Sequence, residues 1–88
     1  MSIDSDLSAE LHILGLFNLD TAQAGIKIHK SADVVLVDAA QRLFDKGLTT
    51  QVDGGYLTAI GRDAAEHLQV VLGVLTAGSA AQTKFALH

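Results

Sequence analysis

Hydrophobic positions recur at helical spacing in three stretches of the chain, separated by short segments that alternate or turn. In the first stretch Leu7, Leu11 and Leu14 share a stripe with Asn18, while Ile13, Leu16 and Phe17 widen the apolar face beyond it. Ser5 or Asp6 can cap its start. A helix this apolar is expected to be covered on more than one side. Asp20 is placed to cap a short helical turn through Ala24, which Gly25 would stop. Ile26–His29 then alternates apolar and polar, the period of a strand.

The second stretch predicts a helix from an N-cap at Ser31 to about Lys46, burying Leu36, Ala39, Ala40, Leu43 and Phe44, with Gly47 as its stop. Leu48–Val52 and Tyr56–Thr58 read as two strands around Asp53-Gly54-Gly55, a sequence that supplies the positive φ of a tight hairpin. Thr58 can cap a last helix, roughly Ala59–Thr76. Ile60, Ala64, Ala65, Leu68, Val71, Leu72 and Leu75 form its buried stripe. Val70 and Val74 lie on a second apolar flank, so this helix has two things to pack against. The pattern is that of an α+β domain, mostly helical, with a small antiparallel hairpin and a long C-terminal helix. Residues 1–77 make the domain, and residues 78–88 read as a flexible tail whose Phe85 and Leu87 offer an alternative cover for the valines.

Composition narrows the picture. Of 88 residues, 49% are hydrophobic, yet there are only three Phe, one Tyr and no Trp, so the core must be aliphatic. Such a short chain often needs a staple. With no Cys, disulfides and Cys-based zinc sites are excluded, and self-association is the expected supplement. The first residues carry acids rather than a basic leader, and the apolar run Val70–Leu75 is far too short to span a bilayer, so a cytoplasmic protein without membrane contact is expected. The net charge of −4 weighs against nucleic acid. Its distribution is uneven: Gln23–Val52 is +1, and the remainder is −5.

The run Ala40–Glu66 contains Lys46-Gly47-Leu48, the hairpin at Asp53–Gly55, Leu57-Thr58 and Gly61-Arg62. It resembles the core of winged-helix regulators of the MarR and PadR kind. In those a helix ends in Lys-Gly-Leu, a hairpin wing follows, and Leu-Thr-x-x-Gly-Arg opens a long helix that often dimerises. Residues 7–76 also resemble small conserved hypothetical proteins of gamma-proteobacteria, some labelled as DNA-binding proteins or transcriptional regulators. The resemblance implies a winged-helix domain in which a helix-turn-helix precedes the wing and its second helix reads the major groove. Two departures stand out. The first helix of that pair would be only Asp20–Ala24, with strand-like Ile26–His29 where a turn is expected. The wing tip carries Asp53, where regulators often place Arg or Lys.

On this reading Lys27, Lys30, Gln41, Arg42 and Lys46 are the expected contacts to double-stranded DNA. Gln41 and Arg42 suit base edges, and Lys27, His29 and Lys30 suit phosphate. Asp38, four residues before Arg42, sets an intrahelical ion pair against that role. The lysine cluster reads equally as charges that protect a sheet edge. A homodimer through the first and last helices is expected, with Val70 and Val74 at its interface. The competing function is a protein-interaction module without DNA. The four histidines have no metal-ligand spacing, Asp63 and His67 read as an exposed helix pair, and Gly54-Gly55 is a turn rather than a phosphate loop. No nucleophile elbow, paired carboxylates or dinucleotide fingerprint is present, so neither an enzyme nor a cofactor is expected.

Overall fold

A computed structural model describes residues 2–21 and 23–85, with side chains through Ala77. The elements are α1 (Ser5–Leu16), β1 (Ile26–Lys27), α2 (Val34–Asp45), β2 (Thr49–Gln51), β3 (Gly54–Leu57) and α3 (Ala59–Phe85). The three strands form one antiparallel sheet in the order β1-β3-β2. The domain is therefore α+β, mostly helical, with a small hairpin and a long C-terminal helix.

The helix starts lie slightly away from the expected caps. Asp4, not Ser5 or Asp6, caps α1 by accepting from the Leu7 amide at 2.8 Å. Asp33, not Ser31, caps α2 through the Val35 amide at 2.9 Å. Each capping carboxylate also meets the positive end of its helix dipole. The stop of α2 is as expected. The Gly47 amide donates to the Phe44 carbonyl and the Leu48 amide to the Leu43 carbonyl, both at 2.9 Å, which satisfies carbonyls the helix leaves open.

Among the described residues no helix forms over Asp20–Ala24. Asn18 accepts from the Asp20 amide at 2.9 Å and Thr21 from the Gln23 amide at 3.1 Å. Such short side chains offer the backbone turns in place of a helix. The strand expected over Ile26–His29 stops at Lys27. It pairs Ile26 with Gly55 and Lys27 with Gly54, where β3 begins, so the ladder runs out of partner. The Ile28 amide donates instead to the Asp53 carbonyl in the hairpin turn, at 2.8 Å.

The hairpin turns at Val52-Asp53, one residue earlier than expected, and both glycines enter β3. Gly54 and Gly55 have φ of 120° and 72°. A Cβ on Gly54 would lie 2.8 Å from the Ile26 carbonyl oxygen, and one on Gly55 would lie 2.6 Å from Thr50 Oγ1. Glycine is required here by the backbone conformation and by the close approach of both neighbours. The β2–β3 register shifts between Thr49 and Gln51, and Thr50 Oγ1 accepts from the Tyr56 amide at 2.9 Å across that irregularity.

The fully buried core is small: Ala9, Ile13, Leu14, Phe17, Ala39, Ala40, Leu43 and Ala65. Leu36, Leu48, Leu57 and Leu68 pack around it. The expected stripe of α3 is covered only in the middle of its length, from Ala64 to Leu68. Ala65 is fully enclosed, whereas Ile60, Val71, Leu72 and Leu75 are exposed. Phe44 also lies at the surface, not in the α2 stripe.

Candidate functional site

The five residues expected at a DNA interface separate into three environments. Arg42 and Lys46, four apart on α2, converge on the Glu10 side chain of α1. Arg42 Nε donates to Glu10 Oε2 at 2.8 Å, and Lys46 Nζ donates to Oε1. Arg42 Nη2 also donates to the Asp6 carbonyl at 3.2 Å. The Glu10 side chain is only 7% exposed, while those of Arg42 and Lys46 are 31% and 53% exposed. Burial alone pushes the Glu10 carboxyl up. The hydrogen bonds from Lys46 and Arg42, with their charges, outweigh it and hold the group below the usual range. The same bond to Glu10 raises the Arg42 guanidinium. The Asp38–Arg42 ion pair expected from spacing is not formed, because Arg42 turns toward α1 instead.

Gln41 is exposed on α2 and donates to Asp45 at 3.5 Å. Lys27 and Lys30 lie elsewhere, on a cleft of ≈ 670 Å³ between the segment that leaves β1, α2 and the hairpin turn. Ile28, Val37, Ala40 and Val52 give this cleft an apolar lining, and Asp53 joins the lysines at its edge. Among the described residues no ion pair engages Lys27 or Lys30.

Val70 and Val74, the expected dimer contacts, are 66% and 65% exposed, and Val71 and Leu75 beside them are exposed as well. None of these four lines the groove of ≈ 480 Å³ at the α1–α3 seam, which is lined by Ser8, Leu11, His12, Gly15, Leu16, Leu68 and Leu72. Phe85 and Leu87, the alternative cover, have side chains outside the described residues.

Several residues that position these features carry no local signal of their role. Gln69 Nε2 donates to the Leu14 carbonyl at 3.2 Å and to the Phe17 carbonyl at 2.8 Å, so α3 satisfies the open C-terminal end of α1. Arg62 reaches the Leu19 carbonyl and lies 3.7 Å from Glu66. Thr58 Oγ1 accepts from the Gly61 amide at 3.0 Å and donates to the Gly47 carbonyl at 2.6 Å. A Cβ on Gly61 would fall 1.8 Å from the Leu48 carbonyl oxygen, so only glycine lets α3 start this close to the chain entering β2. Leu-Thr-x-x-Gly-Arg is a framework motif in this protein. The motif is visible in the sequence; that its Arg ties down a loop 43 residues away is not.

His67 Nδ1 lies 2.7 Å from the Asp63 carbonyl oxygen and 3.7 Å from its carboxylate. That backbone hydrogen bond, then the Asp63 charge, raises the imidazole above its ordinary value. Among the described residues no three His, Asp or Glu side chains gather as metal ligands, and no helix is long and apolar enough to cross a membrane.

A family model described as a family of unknown function (DUF5669) matches residues 1–76, and the chain belongs to that family. No curated protein and no solved structure matches the chain.

Proposed function

We propose that this member of the family is a non-enzymatic, winged-helix-type interaction module that acts as a pair of identical chains and does not read DNA. The observation that carries the reading is the Glu10 clasp. The helix before the hairpin, which would lie in the major groove, has the two cations expected to contact DNA, Arg42 and Lys46, bound within the fold. Freeing them would leave a buried carboxylate unpaired, an expensive exchange. Among the described residues no helix stands between α1 and α2, where Asp20–Ala24 would have completed a helix-turn-helix.

What the molecule offers outward is apolar. Leu16, Val70, Val71, Leu72, Val74 and Leu75 are between 38% and 67% exposed. Exposed apolar residues gathered on one element are a common mark of an interaction surface. No charged residue or histidine occurs between His67 and Lys84, so a second copy meets this face without like-charge repulsion despite the net charge of −4. A two-fold interface would use each patch twice.

Sedimentation equilibrium at micromolar concentration tests the pairing. The expected mass is twice 9.2 kDa, with Val70→Asp and Val74→Asp each returning the chain toward 9.2 kDa. A wild-type mass of 9.2 kDa that neither substitution changes would remove the dimer. A DNA-binding role remains the second reading, favoured by Lys27 and Lys30 at the cleft, which have no ion-pair partner among the described residues. Anisotropy with fluorescent duplex at low salt separates the two. Saturable, salt-dependent binding weakened by Lys30→Ala would replace our reading with the second one.

A further inference from the structure

We propose that the cleft between β1, α2 and the hairpin turn binds a small organic anion, an apolar body bearing a single carboxylate-like charge. The inference is independent of the pairing of chains, since the cleft shares no lining residue with the α1–α3 groove.

The cleft is built by the backbone. The Ile28 amide bonded to the Asp53 carbonyl fixes one wall to the hairpin turn, and the Ala32 amide bonded to the His29 carbonyl at 2.9 Å curls the chain back toward α2. Val37 and Ala40 of α2 form the facing wall, and Ala40 is 1% exposed. At ≈ 670 Å³ the space falls within the range typical of small-ligand sites, about 300–1,000 Å³, which combine a mostly apolar lining with a few converging polar groups.

Charge sets the class of ligand. Lys27, His29, Lys30 and Ser31 line the cleft, in a chain whose net charge is −4. Among the described residues neither lysine has an acidic partner, so both are open to an incoming anion. Asp53 also lines the cleft and disfavours a polyanion that must lay several charges across it. A bare phosphate would leave the lining of Ile28, Val37 and Val52 in water. An anion with an apolar tail uses both halves of the site.

Two-dimensional NMR of the ¹⁵N-labelled full chain, titrated with sodium octanoate, provides the test. Octan-1-ol serves as the uncharged control and sodium phosphate as the tail-less one. Octanoate should produce saturable shifts at residues 27–31, 37, 40, 52 and 53, with both controls roughly tenfold weaker. Exposed ion pairs contribute modestly, so Lys27→Glu with Lys30→Glu should weaken octanoate by about five- to tenfold. Lys27→Gln with Lys30→Gln should weaken it less and guards against a folding defect. Shifts confined to residues 8–16 and 68–72, equal binding of octanol, or an absence of saturation would overturn the proposal. A short duplex saturating these same resonances where octanoate does not would assign the cleft to nucleic-acid phosphate and overturn it as well.

Discussion

Replacing Glu10 by Gln changes one oxygen to an amide in a side chain that is 7% exposed and grips α2 at two points. The wild-type carboxylate accepts from Arg42 and from Lys46 with separate oxygens. Glutamine keeps the volume but offers one acceptor, and turns an NH₂ donor toward the other cation. A hydrogen bond to a charged group contributes about 1.5–3 kcal/mol, and a neutral one about 1 kcal/mol. Losing one such bond and weakening the other would cost about 2–3 kcal/mol if the cations were sealed in. They are not: with 31% and 53% of their side chains exposed, they recover hydration when released. The expected loss is therefore about 1–2 kcal/mol, and in a domain of this size each kcal/mol lowers Tm by about 4–8 °C.

The pH dependence gives an independent reading of the same variant. The fold holds the Glu10 carboxyl below its usual range. Its contribution is therefore fully present above the unfolded-state value and disappears as pH falls through the folded-state value. Thermal unfolding followed by circular dichroism should show wild type and Glu10→Gln well separated near neutral pH and converging on the acid side. Arg42→Gln combined with Lys46→Gln should be worse than Glu10→Gln near neutral pH, because it leaves the buried charge unpaired. Equal Tm values near neutral pH, or a gap that persists unchanged into acid, would refute the account of Glu10 as a buried, ionised anchor.

Three further outcomes are expected. Gln69→Ala leaves the Leu14 and Phe17 carbonyls without a donor and should cost about 1–2 kcal/mol in urea unfolding, with amide exchange accelerating first at the end of α1. Gly61→Ala forces the start of α3 away from Leu48 and should cost more than about 2 kcal/mol, whereas Gly73→Ala, which meets nothing within 4 Å, should be neutral or slightly stabilising. The His67 imidazole should titrate above an ordinary histidine by NMR. Asp63→Asn should lower it only in part, since the larger cause is the Asp63 backbone carbonyl.

How far the fold is readable from sequence depends on how local each cause is. Asp53-Gly54-Gly55 places a hairpin because positive φ is a property of single residues, and Gly47 stops α2 for the same reason. The caps lie one or two residues from their expected places because Asp4, Ser5 and Asp6, or Ser31 and Asp33, are near-equivalent acceptors. Packing beyond the first turn chooses among them. Periodicity assigns Val71 and Leu75 of α3 to the core because it reports which side of a helix is apolar. It is silent on whether anything stands there to cover it. The candidate site is less readable still. Spacing along α2 pairs Arg42 with Asp38, but Glu10, 32 residues upstream, takes the guanidinium. Glu10 has no visible role until α1 and α2 are placed side by side.

The contact between those two helices explains why a charged clasp sits where it does. Ala9 on α1 and Ala39 and Ala40 on α2 let the axes come close, but methyl groups give few ridges to lock one helix against sliding along the other. Ile13 and Leu43 are the largest fully enclosed side chains. A carboxylate bound to two cations one helical turn apart admits one register, since a shift along α2 would break both bonds. Gln69 and Arg62 act similarly from α3, gripping carbonyls at the far end of α1 and just beyond it. The first half of α3 is thereby committed to the body of the domain. Beyond Gln69 the packing thins: Leu72 still lies beside Gly15 of α1, but every described residue from Val70 to Ala77 is exposed. Polar grips thus fix the domain internally, while from Val70 to Ala77 the same helix presents only uncharged, exposed side chains, and it is on these that the proposed pairing of chains rests.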